Sequence, residues 1–534
     1  MATVADLIVR ILGDAGVRAL FGVPGGGSNL DVIAAAGRAD LPFVLTATET
    51  AAAIAALAQA EVAGAPGACL TTLGPGVASV VNGVACAFLD RAPLVVFTDS
   101  YPASRAVEFT HQRLDHRALL APVTKWSETL TAENALQALT RALREATDGP
   151  PGPVHLDCPG DVAAANTVTS DATLTAPARG RTSPDDHMRF ESLLAGARRP
   201  LMIIGMGARR PDDVLAIRRL CEGGRVPALV TYKAKGVVAD DAPWFAGVFT
   251  NAAIERPIVD ESDLLIAVGL DPVELIPRPW IYRQPVVYCG GWPVENVHVP
   301  FAARMVTSVA AAVASIEAAL APSEWDRSDV RSHAERQRKR MAVPSAGALT
   351  AQQVVEIAAR RLAPIARRVT VDAGAHMFPV TMFWPVSEAN QMLISNGLST
   401  MGFALPAAIG AAMMERTAPV VALTGDGGLL MCAGELLTAV RERLPIITIV
   451  FSDGSLSLIE IKQQARNLPP AGVSLGALDW IALGRGFGVE AWAAAGEAEL
   501  ERAIDAALAC RGPALIEARI DRSNYGATLR AVRG

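Results

Sequence analysis

Short runs of β-branched and aliphatic residues alternate along the chain with longer Ala-rich stretches of helical character. The runs are apolar throughout, without an apolar–polar alternation, which predicts strands covered on both faces. Leu94–Phe97, Leu201–Ile204, Ala228–Thr231, Leu264–Val268, Val286–Tyr288 and Ile446–Phe451 are the clearest. Apolar strands separated by helices are the sequence form of α/β domains with doubly wound parallel sheets.

Two stretches break the alternation. Residues 163–188 are rich in Ala, Thr, Ser, Asp and Pro, and residues 321–347 hold Pro322, the charged run 331–340 and Pro344. Both are expected to be exposed connections. They divide the chain into 1–165, 189–320 and 345–534. The outer blocks share their punctuation. Leu70-Thr71-Thr72-Leu73-Gly74-Pro75-Gly76 leads into an apolar helix, then Asp90-Arg91-Ala92-Pro93 and a strand. Leu423-Thr424-Gly425-Asp426-Gly427-Gly428 likewise leads into a helix, then Arg443-Leu444-Pro445 and a strand. Gly152-Pro153 and Gly512-Pro513 each open a closing strand. The outer blocks are therefore expected to share one topology.

A length of 534 residues suits about three domains. Apolar residues make up 51% and charged residues 19%, and mean hydropathy is +0.30. The excess is mostly Ala and Val, spread evenly, with no apolar run of about 18 or more residues. The N-terminus lacks a basic region followed by an apolar one. No membrane association and a cytoplasmic location are expected. A net charge of −6 argues against a generally basic nucleic-acid binder. The seven cysteines include no C-x-x-C pair, and the seven histidines no H-x-x-x-H, so neither a disulfide framework nor a structural zinc site is expected.

The sharpest chemical feature is the end of the run Pro419–Leu423. A buried strand stops in Gly425-Asp426-Gly427-Gly428 and a helix begins, which brings backbone N–H groups to one point, as a phosphate needs. An Asp there makes sense if it holds a cation that bridges to the phosphates, and Mg²⁺ is such an ion. A second oxygen ligand is expected at the end of the next parallel strand, where Asp453 stands with the Ser455 carbonyl behind it.

With these residues the chain resembles the thiamine-diphosphate-dependent superfamily of acetolactate synthase, pyruvate oxidase and benzoylformate decarboxylase. In it, G-D-G is followed after about 25 residues by N-N or N-D; here Ser452-Asp453 stands at that distance. The resemblance covers nearly the whole chain, and acetolactate synthase-like proteins look most similar. It implies pyrimidine-binding, central and diphosphate-binding domains in chain order. Gly425, Asp426, Gly427, Gly428, Asp453 and Ser455 would hold the diphosphate, with Asp426, Asp453 and Ser455 on Mg²⁺. Phe21-Gly22-Val23-Pro24-Gly25-Gly26 is similar to the family's loop over the active site. Glu49 matches the glutamate that hydrogen-bonds the cofactor's pyrimidine and promotes loss of its C2 proton. Met401, in Ser395-Asn396-Gly397-Leu398-Ser399-Thr400-Met401, matches the Met that wedges the two cofactor rings into a V.

His111-Gln112 stands where acetolactate synthases carry Phe-Gln, so Gln112 would touch the substrate and His111 could move protons. Gly160 replaces a Lys of the biosynthetic enzymes, and Lys462 replaces a Trp that selects the second oxo acid; Lys462 either meets an anionic group or points to solvent. Gly26 stands where aldehyde-releasing decarboxylases carry an Asp. The central domain holds FAD in some members, at turns occupied here by Gly205-Met206-Gly207-Ala208 and Gly269-Leu270-Asp271-Pro272. The usual Ala-Arg-Phe-Asp-Asp run is absent, which speaks against FAD. The resemblance implies 2-oxo acid decarboxylation with carboligation, a homodimer as the minimal active unit and a homotetramer as the assembly. The alternatives are a benzoylformate-type decarboxylase and a non-catalytic cofactor-binding paralogue.

Overall fold

Three six-stranded sheets, all parallel, follow one another along the computed structural model, which describes residues 2–102, 104–105, 108–167, 182–294, 298–342 and 347–534. The first sheet contains β1 (Leu20–Val23), β2 (Phe43–Leu45), β3 (Gly67–Thr71), β4 (Leu94–Ser100), β5 (Ser127–Thr129) and β6 (Pro153–Pro159), in the order β2-β1-β3-β4-β6-β5. The second contains β7 (Pro200–Ile204), β8 (Ala228–Val230), β9 (Phe245–Val248), β10 (Leu264–Val268), β11 (Val286–Gly290) and β12 (Phe301–Val306), ordered β12-β11-β10-β7-β8-β9. The third contains β13 (Arg368–Val371), β14 (Met392–Ile394), β15 (Val420–Gly425), β16 (Ile446–Ser452), β17 (Glu490–Ala494) and β18 (Ala514–Arg519), ordered β14-β13-β15-β16-β18-β17. The first and third sheets therefore share one strand order, as their punctuation predicted. The central strands of each sheet are buried along their length, because helices cover both faces.

The second sheet has the order of a dinucleotide-binding fold, with its switch between β7 and β10. The charged run 331–340 departs from the expected open connection. It lies on the helix Arg327–Met341, whose Val330, His333, Gln337 and Met341 are buried. Gln337 docks this helix by accepting from Val248 N at 2.9 Å and donating to Val248 O at 3.3 Å. Most of 163–188, residues 168–181, lies outside the described residues, as do 343–346. Among the described residues no helix is long and apolar enough to cross a membrane.

The Ala excess acquires a cause in two helices. Glu49–Ala63 and Ala404–Met414 are apolar nearly all round, and pack on each other between the first and third sheets. Their closest approach needs Gly410, where a Cβ would stand 2.1 Å from the Ala55 carbonyl oxygen. A buried charge cluster ties in the second sheet. Lys233 Nζ lies 2.6 Å from Glu61 Oε1 and 3.2 Å from Asp90 Oδ2, and donates to the Ile394 carbonyl at 3.0 Å. One lysine thus joins all three domains. Asp90 Oδ1 in turn accepts from Asn396 N at 3.1 Å and Gly397 N at 2.8 Å, the base of the segment that carries Met401.

Candidate active site

In the first and third sheets the chain leaves the first and third strands in opposite directions, and ligands of such sheets bind in the crevice this opens at the strands' carboxyl ends. The predicted residues sit at these ends. In the third sheet, Gly425 ends β15 and Asp426 opens a short helix, Asp426–Cys432. Asp426 Oδ1 accepts from Gly427 N at 2.8 Å, and its Oδ2 accepts from Asp453 N at 3.1 Å and Gly454 N at 2.7 Å. Asp453 accepts from Ser455 N at 3.0 Å and Ser457 Oγ at 2.8 Å. The Ser455 hydroxyl donates to Glu460 at 2.8 Å, which pairs with Arg522 at 2.9 Å. Burial raises both aspartates, and it lifts Asp453 to about 6, with the Asp426 charge adding to the shift.

The glycines of this turn are dictated by their neighbours. A Cβ on Gly428 would stand 2.6 Å from Asp372 Oδ2; one on Gly427 would stand 2.6 Å from a Leu456 methyl and 3.2 Å from the Met401 methyl. Met401 therefore hangs over the same turn that holds Asp426.

Two residues here escaped the sequence reading. Asp372, at the end of β13, is fully buried and accepts from Thr424 Oγ1 at 2.9 Å, and burial lifts it to about 6. His376 stacks on Phe451 at 5.1 Å, beside the Gly425 backbone, where an added Cβ would stand 3.3 Å from its ring. Burial lowers His376 to about 4, and its buried Nε2 has no hydrogen-bond partner. The sign in the sequence was a strand, Arg368–Val371, running into Asp372-Ala373-Gly374-Ala375-His376.

This cluster fits a diphosphate with a hard cation. An orphaned imidazole nitrogen beside a glycine turn needs a polar partner. Two adjacent carboxylates need a counter-charge. Among the described residues no group of three or more His, Cys, Asp or Glu converges as a metal cage. A cation held by Asp426 and Asp453 must therefore complete its shell with carbonyl, water and phosphate oxygens, which is the habit of Mg²⁺.

In the first sheet, β1 runs into the glycine loop, where Gly25 N donates to Asn29 Oδ1 at 2.9 Å. Gly26 is exposed, with open space where a Cβ would stand, so packing does not exclude a side chain there. Glu49 opens the helix Glu49–Ala63, whose N-cap is Thr48. Its Oε1 lies 3.2 Å from where a Cβ on Gly76 would stand. Gln112 is exposed with φ +55°, and its carbonyl oxygen would stand 2.5 Å from a Cβ on Gly74. His111 is exposed, its carbonyl accepting from Tyr101 Oη at 2.8 Å. Lys462 is exposed on the helix Ser457–Ala465, and Gly160 faces Gly27. The two clusters are joined by Glu435, whose Oε1 accepts from Ala47 N at 3.0 Å and Thr48 N at 3.1 Å. Asp426 and Glu435 open two successive helices, Asp426–Cys432 and Glu435–Arg441.

The switch crevice of the second sheet is filled from within. Glu274 Oε2 accepts from Met206 N at 2.9 Å and Oε1 from the Thr231 hydroxyl at 2.5 Å. A Cβ on Gly205 would stand 2.6 Å from this carboxylate. Burial raises Glu274 to about 7.

Three family models match in register with the three sheets. The N-terminal TPP binding domain of thiamine pyrophosphate enzymes matches residues 2–119, their central domain 189–291, and their C-terminal TPP binding domain 372–518. An acetolactate synthase of Bacillus subtilis is 27% identical, covering 97% of this chain and 93% of its own. A catabolic acetolactate synthase of Raoultella terrigena is 30% identical, covering 97% and 95%. A probable 2-ketoarginine decarboxylase of Pseudomonas aeruginosa is 28% identical, covering 97% and 94%.

Proposed function

Because this chain belongs to the thiamine pyrophosphate enzymes, and acts with that cofactor on 2-oxo acids, we propose that it is a Mg²⁺-dependent 2-oxo acid decarboxylase and carboligase of acetolactate synthase type. One observation carries the cofactor site: Asp426 and Asp453 meet at a glycine turn, with the orphaned His376 Nε2 beside it and the Met401 methyl above it. Bound there, thiamine diphosphate supplies a carbon that stabilises the carbanion left by decarboxylation. Asp426, Asp453 and the Ser455 carbonyl would hold Mg²⁺, and the Gly428 N–H with His376 would hold phosphate oxygens. Met401 supports the bent ring arrangement. Glu49 holds a proton at the cofactor's pyrimidine nitrogen, and Gln112 orients the oxo acid by hydrogen bonding. The side chains at 26 and 160 are absent, which leaves room at the substrate end of the glycine loop, and Lys462 offers a cation to an anionic substrate from the helix after Asp453. His111, exposed beside Gln112, is a proton carrier.

On this reading the cofactor is shared between two copies, Glu49 of one facing Asp426 and Asp453 of the other. Exposed apolar side chains near the two candidate clusters support it: Leu45 at 38%, Leu430 at 39%, Met431 at 61% and Leu437 at 49%. A dimer would cover them, and two dimers would make the tetramer. The central domain carries no FAD on this reading, which Glu274 supports by occupying the crevice. Seven thiols without a disulfide support a cytoplasmic location.

The test is a product assay. The purified protein is given thiamine diphosphate, Mg²⁺ and a panel of 2-oxo acids, with and without a second carbonyl compound. Mass spectrometry should find CO₂ and a new carbon–carbon bond. Free aldehyde without ligation product would shift the reading to a simple decarboxylase, and no turnover across the panel would end it. A flavin band in the absorption spectrum would overturn the reading of the central domain.

A further inference from the structure

Beneath the first sheet's glycine turn lies a largely buried hydrogen-bond chain. His116 opens the helix His116–Leu120 and is 6% exposed. Its Nε2 lies 3.2 Å from Gly74 N and its Nδ1 lies 2.9 Å from Asp157 Oδ1. A backbone N–H can only donate, so Nε2 is the bare nitrogen and Nδ1 carries the proton towards Asp157. The Thr98 hydroxyl donates to the same Asp157 oxygen at 2.6 Å. Its oxygen, 2.7 Å from His155 Nε2, must then accept from that nitrogen. His155 Nδ1 lies 2.8 Å from the Ser127 hydroxyl. Burial alone would raise Asp157, but His116, His155 and Thr98 together hold it well below the usual carboxylate range.

The free end of this chain is Gly74. Its φ of +63° and the Gln112 carbonyl oxygen 2.5 Å from any added Cβ leave the position to glycine alone. Two residues on, Gly76 faces the Glu49 carboxylate. The Gly74-Pro75-Gly76 turn is therefore held between His116, the Gln112 backbone and Glu49. The His116 side chain is buried under the turn.

We propose that His116, fixed by Asp157, is a positioning residue that sets the Gly74-Pro75-Gly76 turn and through it the placement of Glu49 and Gln112 for the reaction. This rests on the reading of Glu49 as the carboxyl group that promotes loss of the cofactor's C2 proton. Placement errors of about 1 Å at a reacting group cost on the order of a hundredfold in rate.

The experiment measures C2 hydrogen–deuterium exchange, kcat, KM and cofactor affinity in holoenzyme carrying His116→Leu, His116→Asn or His116→Gln. Leu offers neither donor nor acceptor, and Asn is too short to span Asp157 and Gly74. Both should slow exchange and kcat by roughly tenfold to a hundredfold, with KM and cofactor affinity within about twofold. Gln can donate to Asp157 while accepting from Gly74, and should restore most of the rate, which a volume effect would not do. If Leu fails to fold, the Asn–Gln contrast carries the test. Wild-type exchange in the Leu or Asn variant, or a Gln variant as slow as Asn, overturns the proposal. Glu49→Gln runs beside them. If it abolishes exchange, the Glu49 reading stands and the His116 result is judged alone; if it exchanges normally, both fall together.

Discussion

The backbone N–H of Asp453 lies 3.1 Å from Asp426 Oδ2, so the two carboxylates are bound into one loop although 27 residues separate them. This contact places two acids side by side in a partly dry site, where both are raised towards neutrality. Asp453, at about 6 when folded against 3.8 as a free side chain, holds its proton longer in the folded chain. Over that interval the folded state binds more protons than the unfolded one, so metal-free stability falls as pH rises from about 4 to about 6. Thermal unfolding of the metal-free protein should show this slope, and Asp453→Asn should flatten it. Mg²⁺ needs the ionised form, so cofactor binding should weaken as pH drops below about 6. Asp426→Ala should lose Mg²⁺-dependent binding in calorimetry at any pH; retained affinity would remove the aspartates from the metal site.

His376 offers an unpartnered nitrogen beside Gly425. His376→Phe keeps a ring stacked on Phe451 and deletes that nitrogen. A hydrogen bond to a charged phosphate contributes about 1.5–3 kcal/mol, so cofactor Kd should rise roughly tenfold to a hundredfold. Stability without cofactor should change little, since the orphaned nitrogen goes together with the ring's bond to the Leu423 backbone. An unchanged Kd would assign His376 to packing.

Glu435 carries the turn before Glu49 on one oxygen. Glu435→Gln retains an acceptor and should fold and work nearly normally. Glu435→Ala leaves the N–H groups of Ala47 and Thr48 without partners, which costs about 1–3 kcal/mol. It should also slow C2 exchange, because Glu49 follows directly. Equal behaviour of the two variants would show that the turn holds itself.

Lys233 is 1% exposed between Glu61 and Asp90. Lys233→Met leaves Glu61 paired only with Arg209 and Asp90 held only by uncharged donors, and breaking such a cluster costs about 3–5 kcal/mol. Differential scanning calorimetry should show a clear fall in Tm and a loss of cooperativity between domains. Adding Asp90→Asn should recover part of the loss by removing the carboxylate left without a cation. A Tm within a degree or two of wild type would mean the domains are held by their other contacts, such as Arg91–Asp271 at 2.7 Å and the apolar helix crossing.

The sequence by itself determined the local chemistry. Apolar runs could only be strands buried on both faces, because a strand open to water alternates. Gly425-Asp426-Gly427-Gly428 marked where a strand hands over to a helix, because such a glycine run breaks the apolar strand and leaves backbone N–H groups open. The spacing to Asp453 followed from two short helices and one strand. The tertiary structure decided what distance along the chain conceals. His376 and Asp372 join Asp426 because β13 and β15 are neighbours in the sheet, a pairing no local pattern states. His116 is buried where His111 is exposed because it meets Asp157 on β6, 41 residues along the chain, a contact no local pattern states. The charged run 331–340 became a docked helix because Gln337 and Met341 found cover on another domain. The Ala excess likewise gained its meaning in three dimensions: small side chains let two helices cross at Ala55 and Gly410, and that crossing joins the first and third sheets.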